Sequence, residues 1–105
     1  MVTVLPACRR EILALPDEAR GDLADAIARL EEGLMLSMPL SRPMAAIGRG
    51  AHELRLKHRS GAYRVVYAVG GRGHVVLVHA FKKTTRATPL ASIRTARTRL
   101  RESSR

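Results

Sequence analysis

Residues 52–81 constrain this chain more than any other stretch. They divide into three runs of strand character, "HELRLKH", "AYRVVYAV" and "HVVLVHAF", with a turn at Arg59-Ser60-Gly61 after the first and "GGRG" after the second. The first run alternates, placing Leu54 and Leu56 on one face and Arg55 and Lys57 on the other. The second is rich in aromatic and β-branched residues, and its close link to the third predicts a hairpin. The third is apolar on both faces, so it belongs in the interior of a sheet. Connections this short join antiparallel neighbours.

The residues before this block read as helical. "PACRREILAL" begins with a proline, which a first helical turn tolerates. "PDEARGDLADAIARLEEGL" then repeats Leu23, Ala26, Ile27, Leu30 and Leu34 at helical spacing, with Asp17 and Glu18 in the first turn and Gly33 as the stop. Leu15-Pro16 forms the corner of a helical hairpin. "VTVL" at the start is a candidate short strand. "SMPLSRPMAAIGRG", with its prolines and glycines, reads as a loop over the core, and Met35, Met38 and Met44 read as core filler. After the strands, Thr88 is placed to cap and Pro89 to begin a last helix carrying Leu90, Ile93 and Leu100 among Arg94, Arg97, Arg99 and Arg101. The expected architecture is α+β: an N-terminal helical hairpin packed on a small antiparallel sheet, with a C-terminal helix, in a single domain over residues 1–105.

Charge sets the class of partner. The chain carries 19 Lys and Arg against 9 Asp and Glu, a formal +10. Eight of the nine acids lie before Leu54, and none lies between Leu54 and Arg101, so the positive field belongs to the C-terminal half. Such a surface favours polyanions. No apolar run approaches the ~20 residues that span a bilayer, and "MVTVLPACRRE" lacks the order of a signal peptide. The single cysteine, Cys8, cannot form an internal disulfide, which suits the cytoplasm, and it reads as a small buried residue. His52, His58, His74 and His79 form no metal-binding spacing, "GGRG" lacks the residues of a phosphate-cradling P-loop, and a Ser/His/Asp site has no acid to complete it. The expectation is a protein without cofactor or metal.

The candidate site is a set of cations on the strands. Arg55 and Lys57 share a face, Arg64 lies across the turn, and Lys82 and Lys83 end the third strand. Neighbouring strands about 5 Å apart bring these groups onto one sheet face, where a bound anion relieves their repulsion. A solvated polar face of a half-buried sheet is the plainer reading of the same pattern. If the anion is RNA, attack of a 2′-hydroxyl on its own phosphate needs a base, a stabiliser of the charged phosphorane and an acid. A lysine serves as base where neighbouring cations destabilise its ammonium, and an arginine clamps the phosphate with its guanidinium fork.

"HELRLKHRSGAYRVVYAV", followed by "VVLVHAFKKTTRATP" and a helix containing Ala-x-x-Arg, resembles the RelE/ParE toxin superfamily and within it the HigB-like, phage-derived toxins of type II toxin–antitoxin pairs. The resemblance runs from the Leu-Pro corner to the last helix. It implies the same helix, sheet and helix fold, and a ribosome-dependent mRNA endonuclease that needs no metal and inhibits translation. By that resemblance Arg55, Lys57, Arg64 and Lys83 are catalytic, with Lys57 the base and Arg64 the phosphate stabiliser. Lys82, His79, Arg59 and Arg86 are the expected substrate contacts. The expected partners are a helix-turn-helix antitoxin, the ribosome and mRNA, with no membrane. The chain departs from the family at "FKKTT", where Thr84 stands in place of a second lysine, and it has no tyrosine after Tyr67, so the acid for the leaving oxygen is left to His79 or Lys83.

Two further readings follow from the same residues. A gyrase-directed toxin of the ParE type shares the fold, although Arg55, Lys57 and Arg64 together argue for the nuclease. A non-catalytic basic nucleic-acid-binding module accounts for the charge alone, but Tyr63, Tyr67 and Phe81 are too few to make a stacking platform.

Overall fold

A computed structural model describes residues 1–103. The strand block pairs as its alternation requires. β3 (Ala51–His58), β4 (Gly61–Val69) and β5 (Val75–Lys83) form an antiparallel meander, closed by the Arg59–Ser60 turn and by a 3-10 turn at Gly71–Gly73. The sheet has five strands in the order β1-β5-β4-β3-β2. β1 (Val2–Val4) runs parallel to β5, and β2 (Ser41–Pro43) runs antiparallel to β3. Between the two edge strands the chain crosses one face of the sheet as a hairpin of α1 (Pro6–Leu13) and α2 (Asp17–Glu31). α3 (Leu90–Ser103) returns over the other face.

The two faces are covered unequally. Cys8, Leu15, Ala19, Leu23, Ala26 and Leu30 of the helical hairpin pack on Leu54, Leu56, Tyr63, Val65, Tyr67, Leu77 and Ala80, forming the larger core. On the opposite face, Ile93, Ala96 and Leu100 of α3 pack with Ala51, Val66 and Val78, with Met44 and Ile47, and with the partly buried Val76 and Phe81. The far ends of β3, β4 and β5 on that face are left without a helix. β5 is buried on both sides, as its continuous apolar run predicts.

One irregularity ties the layers together. The register changes from Val66 opposite His79 to Tyr67 opposite Leu77, so Val78 is an extra residue in β5. β1 pairs with β5 only as far as Leu77, and beyond it the edge of β5 exposes unpaired backbone groups. The carboxylate of Glu11 in α1 accepts from the backbone N–H of Ala80 at 3.1 Å, and Arg99 of α3 donates to the carbonyl of Val78 at 3.1 Å. Arg99 also grips Glu11 through both terminal nitrogens, at 2.7 and 3.1 Å, and His79 Nδ1 donates to the same carboxylate at 3.0 Å.

Several local expectations change. The segment read as a loop contains β2, an edge strand in which Pro43 is tolerated and whose buried Ser41 shares a 2.6 Å hydrogen bond with the Tyr67 hydroxyl. The sheet is therefore mixed rather than purely antiparallel, β1 supplying the parallel pair. α2 ends at Glu31, two residues before Gly33, whose φ of +84° turns the chain away, so Leu34 leaves the helical face and is 52% exposed. Met44 is core filler, but Met35 and Met38 are 89% and 55% exposed because they sit on the outer side of the connection to β2. Thr88 does not cap α3; its hydroxyl reaches into the sheet.

Burial tends to raise the pKa of Glu11, but the hydrogen bonds from Arg99, His79 and Ala80 outweigh it and hold the carboxyl below its ordinary value. A lowered folded-state pKa contributes stability above the unfolded value of about 4.3, and that contribution disappears as pH falls through the folded value. Glu11→Gln is expected to lower stability at pH 7 by about 1–3 kcal/mol and to flatten the loss of stability below pH 5, as measured by urea denaturation across a pH series. Burial, reinforced by the neighbouring Glu11, pushes the Cys8 thiol up to about 12. Cys8 is therefore expected to resist a thiol reagent at pH 8 in the folded protein and to react at once in denaturant.

Candidate functional site

The uncovered end of the sheet is organised as cross-strand rows. Arg55 lies directly opposite Arg64, which lies opposite Phe81. In the next row outward, Lys57 lies opposite Ala62, which lies opposite Lys83. Directly paired residues project to the same side, so Arg55, Lys57, Arg64 and Lys83 share the face that α3 leaves open. The row beneath contains Arg42, Glu53, Val66 and His79, where the basic end meets the apolar half under α3. The turn that fixes this register is tight: Gly61 has φ +146°, and a Cβ there would come within 2.8 Å of Lys82 Cε.

Among the described residues Glu53 is the single carboxylate on this face of the strands, and it is 1% exposed. Its Oε1 lies 3.5 Å from Arg64 Nε and 3.8 Å from Arg42 Nη2, while Oε2 accepts from the Thr88 hydroxyl. Arg64, 6% exposed, also donates through Nη1 to the carbonyl of Tyr63 at 3.1 Å, yet its buried Nε has no hydrogen bond of good geometry. Burial lowers the Arg64 pKa, Glu53 opposes that, and Arg55 and Arg42 lower it further. An arginine remains protonated through such a change. The result is one carboxylate between two guanidiniums, those of Arg64 and Arg42, with Arg55 acting on Arg64 from the neighbouring strand, and an excess of positive charge that an oxyanion group offsets.

Lys83 has a defined task. Its ammonium donates to the carbonyls of Thr85 and Arg86 at 2.5 and 2.6 Å, and the Thr85 hydroxyl donates to the carbonyl of Ala87 at 2.6 Å. The lysine thereby folds the turn after β5 back over the strand end. Lys57 is exposed and makes no ion pair among the described residues. Asp22 and Asp25 of α2 stand across a shallow groove from Arg55 and Lys57, so the basic patch has an acidic border on its β3 side.

Of the remaining residues expected at the site, one projects to the other face of the sheet and the others border the patch. Lys82 pairs with Tyr63 and projects to the helical-hairpin side, where it borders a hollow with Glu11, Leu15 and Tyr63. His79 is 8% exposed, bound to Glu11 and stacked on Phe81 with ring centres 5.0 Å apart, so it serves the packing of the β5 edge. Arg59 is exposed at the β3–β4 turn and Arg86 in the turn after β5, both at the margin of the patch. Three residues of this cluster were not foreseen. Glu53 shares the odd-numbered face of "HELRLKH" with Arg55 and Lys57, so the alternation already contained it. Arg42 sits in a proline-broken segment with no readable pattern, and Thr88 carries a signature that fits a helix cap equally well.

The chain matches the phage-derived Gp49-like protein family (DUF891) over residues 10–101. No curated protein sequence matches it. Among solved structures, the isolated Escherichia coli RelE toxin is similar at 19% identity and a TM-score of 0.57, covering 82% of this chain and 87% of that one. An arginine-to-alanine double variant of E. coli RelE in its free state is similar at 19% identity and a TM-score of 0.58, covering 95% and 96%. The helical hairpin, five-stranded sheet and C-terminal helix are thus a RelE-like fold, and the chain belongs to the phage-derived Gp49-like family.

Proposed function

We propose that this protein is the toxin of a type II toxin–antitoxin pair and cuts mRNA on the ribosome. The observation that carries this reading is the pairing of Arg55 with Arg64, one row from Lys57 and Lys83, on the part of the sheet that no helix covers. The RelE-like fold and Gp49-like membership support the toxin assignment.

In this mechanism the scissile phosphate sits over the Arg55–Arg64 row. Lys57 accepts the proton of the 2′-hydroxyl as its oxygen attacks the adjacent phosphorus. Arg64 and Arg55 stabilise the charge that gathers on the phosphorane oxygens. The P–O5′ bond breaks to give a 2′,3′-cyclic phosphate and a 5′-hydroxyl, whose oxygen takes its proton from water. Lys83 contributes positive charge and holds the turn over the strand end. The protein partner is an antitoxin of the helix-turn-helix class, whose binding keeps the basic face from RNA. Among the described residues no helix is long and apolar enough to cross a membrane, in keeping with a toxin acting on ribosomes in the cytoplasm.

Arg64→Ala is expected to reduce cleavage by about 10²–10³-fold and to abolish growth arrest on induction. Arg64→Lys, which retains charge beside Glu53 but loses the planar fork, is expected to be nearly as inactive. Mapping mRNA ends after induction with translating ribosomes present reads the activity directly, and circular dichroism checks the fold. Growth arrest by Arg64→Ala at the strength of the unmodified protein would overturn the assignment of Arg64. DNA damage with intact mRNA would replace the nuclease by a gyrase-directed toxin.

A further inference from the structure

Stability alone gives little reason for a carboxylate at position 53. Its cross-strand partners are Val66 and the half-exposed edge residue Arg42, and α3 makes the next row inward apolar. Burying an ion pair in such a place is often no better for stability than a well-packed hydrophobic pair. What Glu53 does uniquely is meet three separate parts of the candidate site. It faces Arg64 Nε at 3.5 Å and Arg42 Nη2 at 3.8 Å, and it accepts from the hydroxyl of Thr88. Thr88 ends the same turn whose carbonyls at Thr85 and Arg86 are held by Lys83. One carboxylate therefore links a guanidinium on β4, an edge cation on β2 and the turn after β5.

We propose that Glu53 is a positioning residue of the oxyanion site, orienting the Arg64 guanidinium and anchoring the Lys83 turn through Thr88 before RNA arrives. This rests on the nuclease reading above and names a residue that acts through Arg64 rather than on substrate. Nη1 is hydrogen-bonded to the carbonyl of Tyr63, and the buried Nε faces Glu53 at 3.5 Å as an ion pair rather than a hydrogen bond, so Arg64 is restrained from two sides. Its Nη2 has no protein partner among the described residues and is the donor left for a phosphate oxygen. A fork restrained in advance loses less freedom on binding and stands ready where charge develops.

The roles of charge and of position predict opposite outcomes for binding. Glu53→Gln removes one negative charge and takes the formal net charge from +10 to +11, which by electrostatics alone favours RNA. A positioning role predicts single-turnover cleavage lowered about 100-fold, with affinity for an uncleavable oligonucleotide carrying a 2′-deoxy group at the scissile site equal to that of the unmodified protein or tighter. Thr88→Val, which keeps the side-chain shape and removes the hydroxyl, is expected to lower cleavage about 10-fold and to leave that affinity unchanged. Thr88→Val decides the question if Glu53→Gln does not fold.

A second readout is independent of cleavage. The Arg64 Nε resonance, assigned in 15N spectra of the free protein, should be single and sharp in the unmodified protein, and shifted and broadened by exchange among guanidinium orientations in Glu53→Gln. Full cleavage by either folded variant, or affinity and cleavage falling together, overturns the proposal while leaving the nuclease reading in place. If the unmodified protein cleaves no RNA, the nuclease reading fails, and the Arg64 resonance alone decides whether Glu53 holds the guanidinium. An unchanged resonance overturns that too.

Discussion

The edge of β5 is the constraint on which the rest of the structure depends. β1 is short and leaves the strand after Leu77, so the backbone around the Val78 bulge has no strand to pair with. Buried peptide groups without partners are costly. The chain answers with two side chains from opposite layers, Glu11 from the helical hairpin and Arg99 from α3, which satisfy those groups and bind one another. α1, β5 and α3 are therefore fastened at a single point. The placement of α3 over Val66 and Val78, and hence the part of the sheet left uncovered, follows from it.

The division of that sheet face explains how a basic site coexists with a stable core. Near α3 the rows are apolar; beyond it they are cationic, and Glu53 stands at the seam. Each half obeys its own physics. The covered half removes apolar surface from water, while in the other Arg55 and Lys57 keep contact with water and Arg64 is buried beside Glu53, with the cations close enough to repel. The acids of α2 lie along one flank of the cations, leaving the positive field strongest on the side of α3 and the turn after β5.

Much of this was legible in the sequence because period-two alternation and turn length are local signals. Leu54 and Leu56 against Arg55 and Lys57 fixed both faces of β3, and the short turn then placed Arg64 opposite Arg55. The continuous apolar run of β5 announced an interior strand. What failed to show was the bulge at Val78, which changes the facing of residues after it. Without that bulge, simple alternation groups Lys82 and His79 with the wrong neighbours. β2 was hidden because an edge strand needs no apolar pattern and its stability comes from Ser41 meeting Tyr67, a contact across 26 positions of sequence. Leu34 and Met35 mislead for the opposite reason: their hydrophobicity suggests burial, but Gly33 has already turned the chain.

The stretch of sheet beyond α3 has a measurable extent. It comprises two rows, Arg55–Arg64–Phe81 and Lys57–Ala62–Lys83, across three strands, with Phe81 at the boundary where it packs against the α3 cluster. With rows about 7 Å apart along a strand and strands about 5 Å apart, its footprint is about 7 by 10 Å. That is the scale of one backbone linkage with a sugar on either side, far smaller than a turn of duplex. A window of this size grips a polynucleotide at a single link and meets few base edges. Choice among sequences therefore falls to whatever body holds the strand open and feeds it through.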